Sequence, residues 1–116
     1  MEFYYHEIDH DVLILAADGG LDSENAGQFV HDLEALVDAG LTKIIVDCSA
    51  LHYVSNIAAG RLVQLHGKLA ARGGDVKLAE VKAGPLQYLS LVRLDRLFEI
   101  YPDVNRARLA FRAPNA

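Results

Sequence analysis

The sequence predicts an α/β fold: a sandwich in which a mostly parallel, mixed β-sheet carries about four helices packed against it. Three observations predict it. Short apolar runs alternate with amphipathic segments along the whole chain. Within Lys43-Ile44-Ile45-Val46-Asp47, the β-branched Ile44, Ile45 and Val46 are successive, as in a strand covered on both faces. Glycine or proline punctuates the segments, at Gly40, Gly73-Gly74, Gly84-Pro85 and Pro102. Strands interleaved with helices imply parallel neighbours with helical crossovers lying on the sheet.

Taken in order, Phe3 to Ile8 and Val12 to Ala17 read as two strands joined by a tight hairpin at His10-Asp11. Gly19-Gly20 then breaks the pattern. Ala26, Phe29, Val30, Leu33, Leu36 and Val37 recur at helical spacing, with Asp22 as the N-cap and Gly40 as the stop. Lys43 to Asp47 is the central strand, and Cys48 to Val54 reads as the connection leaving it. From Ser55 a second helix is expected to turn Ile57, Ala58, Leu62, Leu65 and Leu69 inward and to end at Gly73-Gly74. Val76 to Val81 is a further strand. Gly84-Pro85 opens a third helix through about Val92, since proline is tolerated in a first turn. Leu97 to Tyr101 reads as the last strand, and Pro102-Asp103 starts a last helix through about Phe111. No linker, repeat or low-complexity tract interrupts the 116 residues, so 1–116 is expected as a single domain.

Composition narrows the function. Hydrophobic residues are 52% and charged residues 23%, enough apolar material for a core without staples. The lone Cys48 lies in an apolar run and has no internal partner, which suits a reducing compartment and a buried, inert thiol. A net charge of −5 disfavours general nucleic-acid binding. No apolar stretch approaches the ~20 residues that span a bilayer. Met1 to Glu7 is acidic and aromatic with no basic n-region, so a cytoplasmic location is expected.

Assembled chemistry is hard to find. Of His6, His10, His31, His52 and His66, only His6 and His10 have i, i+4 spacing, and they fall on a strand and turn; no metal site is expected. No phosphate-binding loop, dinucleotide fingerprint or nucleophile elbow occurs. Neither Ser23, Ser49, Ser55 nor Ser90 has a histidine placed to activate it, so neither an enzyme nor a cofactor is expected. Two helix starts stand out, at Asp22 and at Ser55-Asn56. Free N–H groups and the positive dipole end make each a place for a phosphoryl group or an acidic partner side chain; plain capping accounts for the same residues.

Gly19-Gly20-Leu21-Asp22-Ser23-Glu24-Asn25-Ala26 is similar to the Gly-x-Leu-Asp-x-x-Thr/Asn-Ala opening of the first helix in STAS domains, the fold of bacterial anti-sigma factor antagonists. Lys43 to Val54 resembles that family's central strand and following loop, Gly73-Gly74 with Val76 to Ala79 its next helix-to-strand crossing, and Leu94 to Tyr101 its ending before the last helix. The resemblance runs over nearly the whole chain and implies a STAS-like sandwich. It further implies a non-enzymatic regulator whose partner is an anti-sigma factor with a kinase-like ATPase fold. The family's second helix usually opens on Asp-Ser-Ser-Gly or Ser-Ser-Ala-Gly, whose serine the kinase phosphorylates. Here the match reads Ser55-Asn56-Ile57-Ala58, so Asn56 occupies the phosphoacceptor position and Ser55 is the possible alternative acceptor. An amide cannot be phosphorylated, so the −1.5 to −2 charge that phosphate would bring is missing there.

Three readings stay open: a permanently unphosphorylated antagonist, a switch moved to Ser55, or a generic interaction module. The resemblance places partner binding on Asp22, Tyr53, Ser55, Asn56 and Ile57, with the Cys48–Val54 loop between them. Asp47 would orient that loop, and Arg61 would face solvent. The alternatives are a STAS accessory subunit of a lipid or ABC transport system and a small-ligand or nucleotide-binding α/β domain. A concave pocket with converging N–H groups would favour the latter.

Overall fold

A computed structural model of the chain describes residues 6–112, with side chains from Ile8 onward. The elements run β1 His6–Asp9, β2 Val12–Leu21, α1 Ala26–Asp38, β3 Lys43–Val54, α2 Asn56–Ala70, β4 Asp75–Ala79, α3 Ala83–Leu91, a 3-10 turn Leu94–Arg96, β5 Ile100–Tyr101 and α4 Val104–Arg112. Part of the expected first strand, Phe3 to Tyr5, lies outside the described residues. The strands lie side by side in chain order. β1 is antiparallel to β2, and every later pair is parallel.

The parallel steps all move the same way across the sheet, and α1, α2 and α3 share one face of it, as crossovers of a single hand require. Phe29 and Leu33 of α1, Leu62, Leu65 and Leu69 of α2 and Leu89 of α3 pack there on Leu13, Leu15, Ile44, Val46 and Val76. The alternate positions Val12, Ile14, Ile45 and Ala79 face the other way and are covered by α4 through Ala107. The continuous apolar run of β3 is thereby explained, because helices cover both of its faces.

The structure corrects several boundaries. Gly19-Gly20 does not end β2, and Cys48 to Val54 is strand rather than loop. The ten residues of β2 pair with the twelve of β3, and two register shifts absorb the difference. Such bulges keep a strand paired while re-aiming its side chains. Asp47 Oδ1 accepts from Ser49 N at 3.0 Å, so it shapes the first bulge rather than a loop. The expected last strand shrinks to Ile100–Tyr101, because Leu94–Arg96 is a 3-10 turn that seats Phe98 in the core. Among the described residues no helix is long and apolar enough to cross a membrane.

Candidate functional site

β2 and β3 end together, and the two helices that follow them start from the same carboxyl edge of the sheet. Leu21 pairs with Val54, and the backbone N–H of Ser55 donates to Leu21 O at 2.8 Å. Asp22 and Ser55, each one residue beyond its strand, are therefore held side by side.

The first turn is locked by two reciprocal side chains. Asp22 Oδ1 accepts from the backbone N–H of Glu24 at 2.9 Å and of Asn25 at 3.0 Å. Asn25 Oδ1 accepts from Asp22 N at 2.9 Å, and its Nδ2 donates to Gly20 O at 2.7 Å. The helix proper begins at Ala26 with Asn25 at the N-cap position, so the expectation of Asp22 as N-cap is corrected by one turn. Asp22 still caps backbone donors, but those of the turn that leads into α1. Asn25 is thus a structural partner of Asp22, and the Asp-x-x-Asn spacing is the local signal for it.

The second start is a regular cap. Ser55 has extended backbone, and its Oγ accepts from Ala58 N at 3.0 Å. Asn56 is exposed, and its Oδ1 accepts from the Tyr88 hydroxyl of α3 at 2.5 Å. Tyr88 is thus a neighbour of the site that local sequence does not reveal. Ile57 is 56% exposed, which corrects its expected inward placement; the buried residues of α2 are Ala58, Ala59, Leu62, Leu65 and Leu69. Tyr53 is equally exposed, with its ring over Gly20, its register partner in β2. Arg61, one turn beyond Ile57, faces solvent as expected.

Beneath this surface lies a small cavity between α2, α3 and the sheet, lined by apolar side chains that include Leu21, Leu51, Val54, Leu62 and Leu89, with Cys48. Burial, reinforced by the nearby Asp47 charge, pushes the Cys48 thiol up to about 12. The cavity offers no N–H cluster for a phosphate.

The STAS domain family matches residues 6–107. The chain belongs to this family. A Thermotoga maritima protein carrying the provisional name of anti-sigma factor antagonist is 28% identical over 106 residues, which cover 90% of this chain and 93% of that protein. A crystal structure with that description, also from Thermotoga maritima, aligns with this STAS domain at a TM-score of 0.90 and 26% identity over 94% of each chain. The unphosphorylated form of SpoIIAA, a Bacillus anti-sigma factor antagonist, shares the fold at a TM-score of 0.84 and 16% identity, covering 97% of this chain and 99% of that one. The STAS domain thus has the architecture expected from its sequence, and its Asp22 turn and its Ser55 helix start form one continuous edge.

Proposed function

We propose that this STAS domain acts as an anti-sigma factor antagonist, docking an anti-sigma factor with a kinase-like ATPase fold through Asp22, Tyr53, Ser55, Asn56 and Ile57. Asn56 stands where antagonists of this kind carry the phosphoacceptor serine, so position 56 gains no phosphate charge and the face stays permanently competent to bind. Docking occupies the surface with which the anti-sigma factor would hold its sigma factor.

The observation that carries this reading is the Ser55 N to Leu21 O bond, which sets the two helix starts together on an exposed edge. Tyr53 and Ile57 supply apolar area at its centre, and Asp22 and Asn56 supply a polar rim, the usual division of labour at interfaces. Ser55 is half-buried with its Oγ engaged by Ala58 N, which favours the constitutive form over phosphorylation at Ser55. The apolar lining of the cavity below favours a protein partner over a nucleotide.

The test is to mix the protein with its cognate anti-sigma factor and ATP, then map phosphate by mass spectrometry and measure the complex. A stable complex without phosphate is expected, and Asn56→Ser should become phosphorylated and dissociate. Phosphate on Ser55 of the unaltered chain overturns the constitutive reading. A complex insensitive to substitution at Asp22, Tyr53 and Asn56 overturns the docking face.

A further inference from the structure

Exposed apolar side chains and unpaired cations are segregated in this molecule. Tyr53, Ile57, Leu86, Leu91, Val92 and Leu97 are exposed on one run of elements, and only Ile8 and Leu109 among the described large apolar residues are exposed elsewhere. Arg61, Lys82, Arg93 and Arg96 reach no carboxylate among the described residues, whereas every other lysine and arginine does. Both sets fall on the end of β3 and the start of α2, on α3 with the residue that caps it, and on the turn that follows it.

The two elements are physically joined. Arg61 lies one turn from Ile57 on α2, and Asn56 accepts from Tyr88 of α3. Leu91 and Val92 lie one turn beyond Tyr88, followed by Arg93 and Arg96. α3 buries Pro85 and Leu89 yet shows Leu86 and Leu91 to solvent, with Leu91 76% exposed. A helix apolar on both sides is ordinarily covered on both.

We infer that the α3 surface, from Leu86 to Leu97 together with Ile57 and Arg61, docks an acidic amphipathic helix of a partner protein. The apolar face of that helix rests on Ile57, Leu91 and Val92, and its flanking carboxylates meet Arg61 on one side and Arg93 and Arg96 on the other. Charge complementarity selects this occupant. The chain carries −5 overall, yet this surface is cationic, with Asp95 the exposed acid within it. A second copy meeting this surface about a two-fold axis would set arginine against arginine. The inference extends the docking face proposed above and rests on that reading for its biological role; its chemistry is tested without it.

The experiment is an NMR titration of the full-length 15N-labelled chain. Its probes are a synthetic amphipathic helix with leucine on one face and glutamate on the flanks, the same peptide with lysine for glutamate, and phosphatidylglycerol vesicles. Shifts at Ile57, Arg61 and Leu86 to Leu97 are expected with the acidic peptide alone. The exposed double variant R93E/R96E, its fold checked by the same spectrum, should weaken binding about tenfold, and added salt should weaken it too. Equal binding of the lysine peptide, binding of vesicles in place of peptide, shifts confined to other faces, no shifts, or self-association through this face each overturns the inference. The antagonist reading fails separately, through loss of the anti-sigma factor complex or its indifference to substitutions at Asp22, Tyr53 and Asn56.

Discussion

Tyr88, in the middle of α3, donates its phenolic hydrogen to Oδ1 of Asn56, the first residue of α2. With its oxygen committed, the Asn56 amide is left with its N–H groups for a partner, so the proposed docking face offers donors at a fixed angle. Tyr88→Phe removes the anchor and little else. The expected loss of stability is about 0.5–1 kcal/mol, the scale of one net hydrogen bond, read from urea unfolding. The Asn56 side-chain amide resonances should broaden or average, and partner affinity should fall a few-fold. Unchanged amide resonances would show that the bond does not orient Asn56.

Asn56→Asp keeps the shape and adds a single negative charge, somewhat less than the roughly −1.5 to −2 of a phosphate. The carboxylate can still accept from Tyr88, and it sits in the first turn of α2, where the helix dipole favours an anion by about 0.3–1 kcal/mol. Unfolding should therefore show equal or slightly greater stability, while affinity for the anti-sigma factor drops at least tenfold. A stable variant that binds as tightly as the unaltered chain would disconnect charge at this position from docking.

Most elements were legible because their periods are clean. The spacing of Phe29, Leu33 and Val37 and of Leu62, Leu65 and Leu69 could only be helical, and Ile44 to Val46 could only be a covered strand. The reading failed where tertiary pairing overrode local signals. Gly19-Gly20 reads as a break, but β3 pairs past it by bulging twice. Ile57 looked like a core residue by type, yet its helical neighbours Gly60 and Arg61 are exposed, and that spacing already set it off the buried row. Tyr88 and Asn56 are 32 residues apart and meet only because α3 returns to the face of α2, which no local pattern encodes.

Gly73-Gly74 reads as one stop signal, but the two glycines act differently. Gly73 takes a φ of +76°, whereas a Cβ on Gly74 would lie 2.1 Å from the backbone oxygen of Thr42, the residue just before β3. Backbone must move to admit it, so Gly74→Ala should lose about 2–3 kcal/mol. Gly67→Ala, in the last turn of α2 with nothing within 4 Å of the new methyl, should instead gain about 0.5 kcal/mol. Urea midpoints of the two variants shifting in the same direction would contradict this account.

Cys48 is held as a thiol by burial, so alkylation at pH 8 must wait for the cavity wall to open. Iodoacetamide should label the folded protein at a rate that rises with urea in step with unfolding. Fast labelling in the absence of urea would mean that the layer under the docking face opens far more readily than the rest of the core.

Lys77 is the buried charge among the described residues, on the face covered by α4, with Nζ 2.6 Å from Glu99 Oε1, 3.1 Å from Asp75 Oδ2 and 4.6 Å from the centre of the Phe111 ring. Burial works to strip its proton, but the hydrogen bonds to Glu99 and Asp75 outweigh it and hold the amine above its ordinary 10.5. Glu99 is drawn below its ordinary 4.5, first by Lys77 and then by the Tyr101 hydroxyl. A depressed carboxyl stabilises the fold above 4.5 and loses that contribution as pH falls through its lower folded value. A raised amine stabilises below 10.5 and loses its contribution as pH rises through its higher folded value. The pair therefore contributes across the neutral range and fails at both ends. Because the Glu99 side chain is 57% exposed, its share is about 0.5 kcal/mol. Glu99→Gln should lower the neutral plateau by that amount and flatten the acid limb of a pH series of urea midpoints. Lys77→Met should change neutral stability little, since an apolar chain replaces a buried cation and leaves Glu99 largely in water. An acid limb as steep in Glu99→Gln as in the unaltered chain would mean that other carboxylates, such as Asp9 beside His10 and Arg112, set the acid sensitivity.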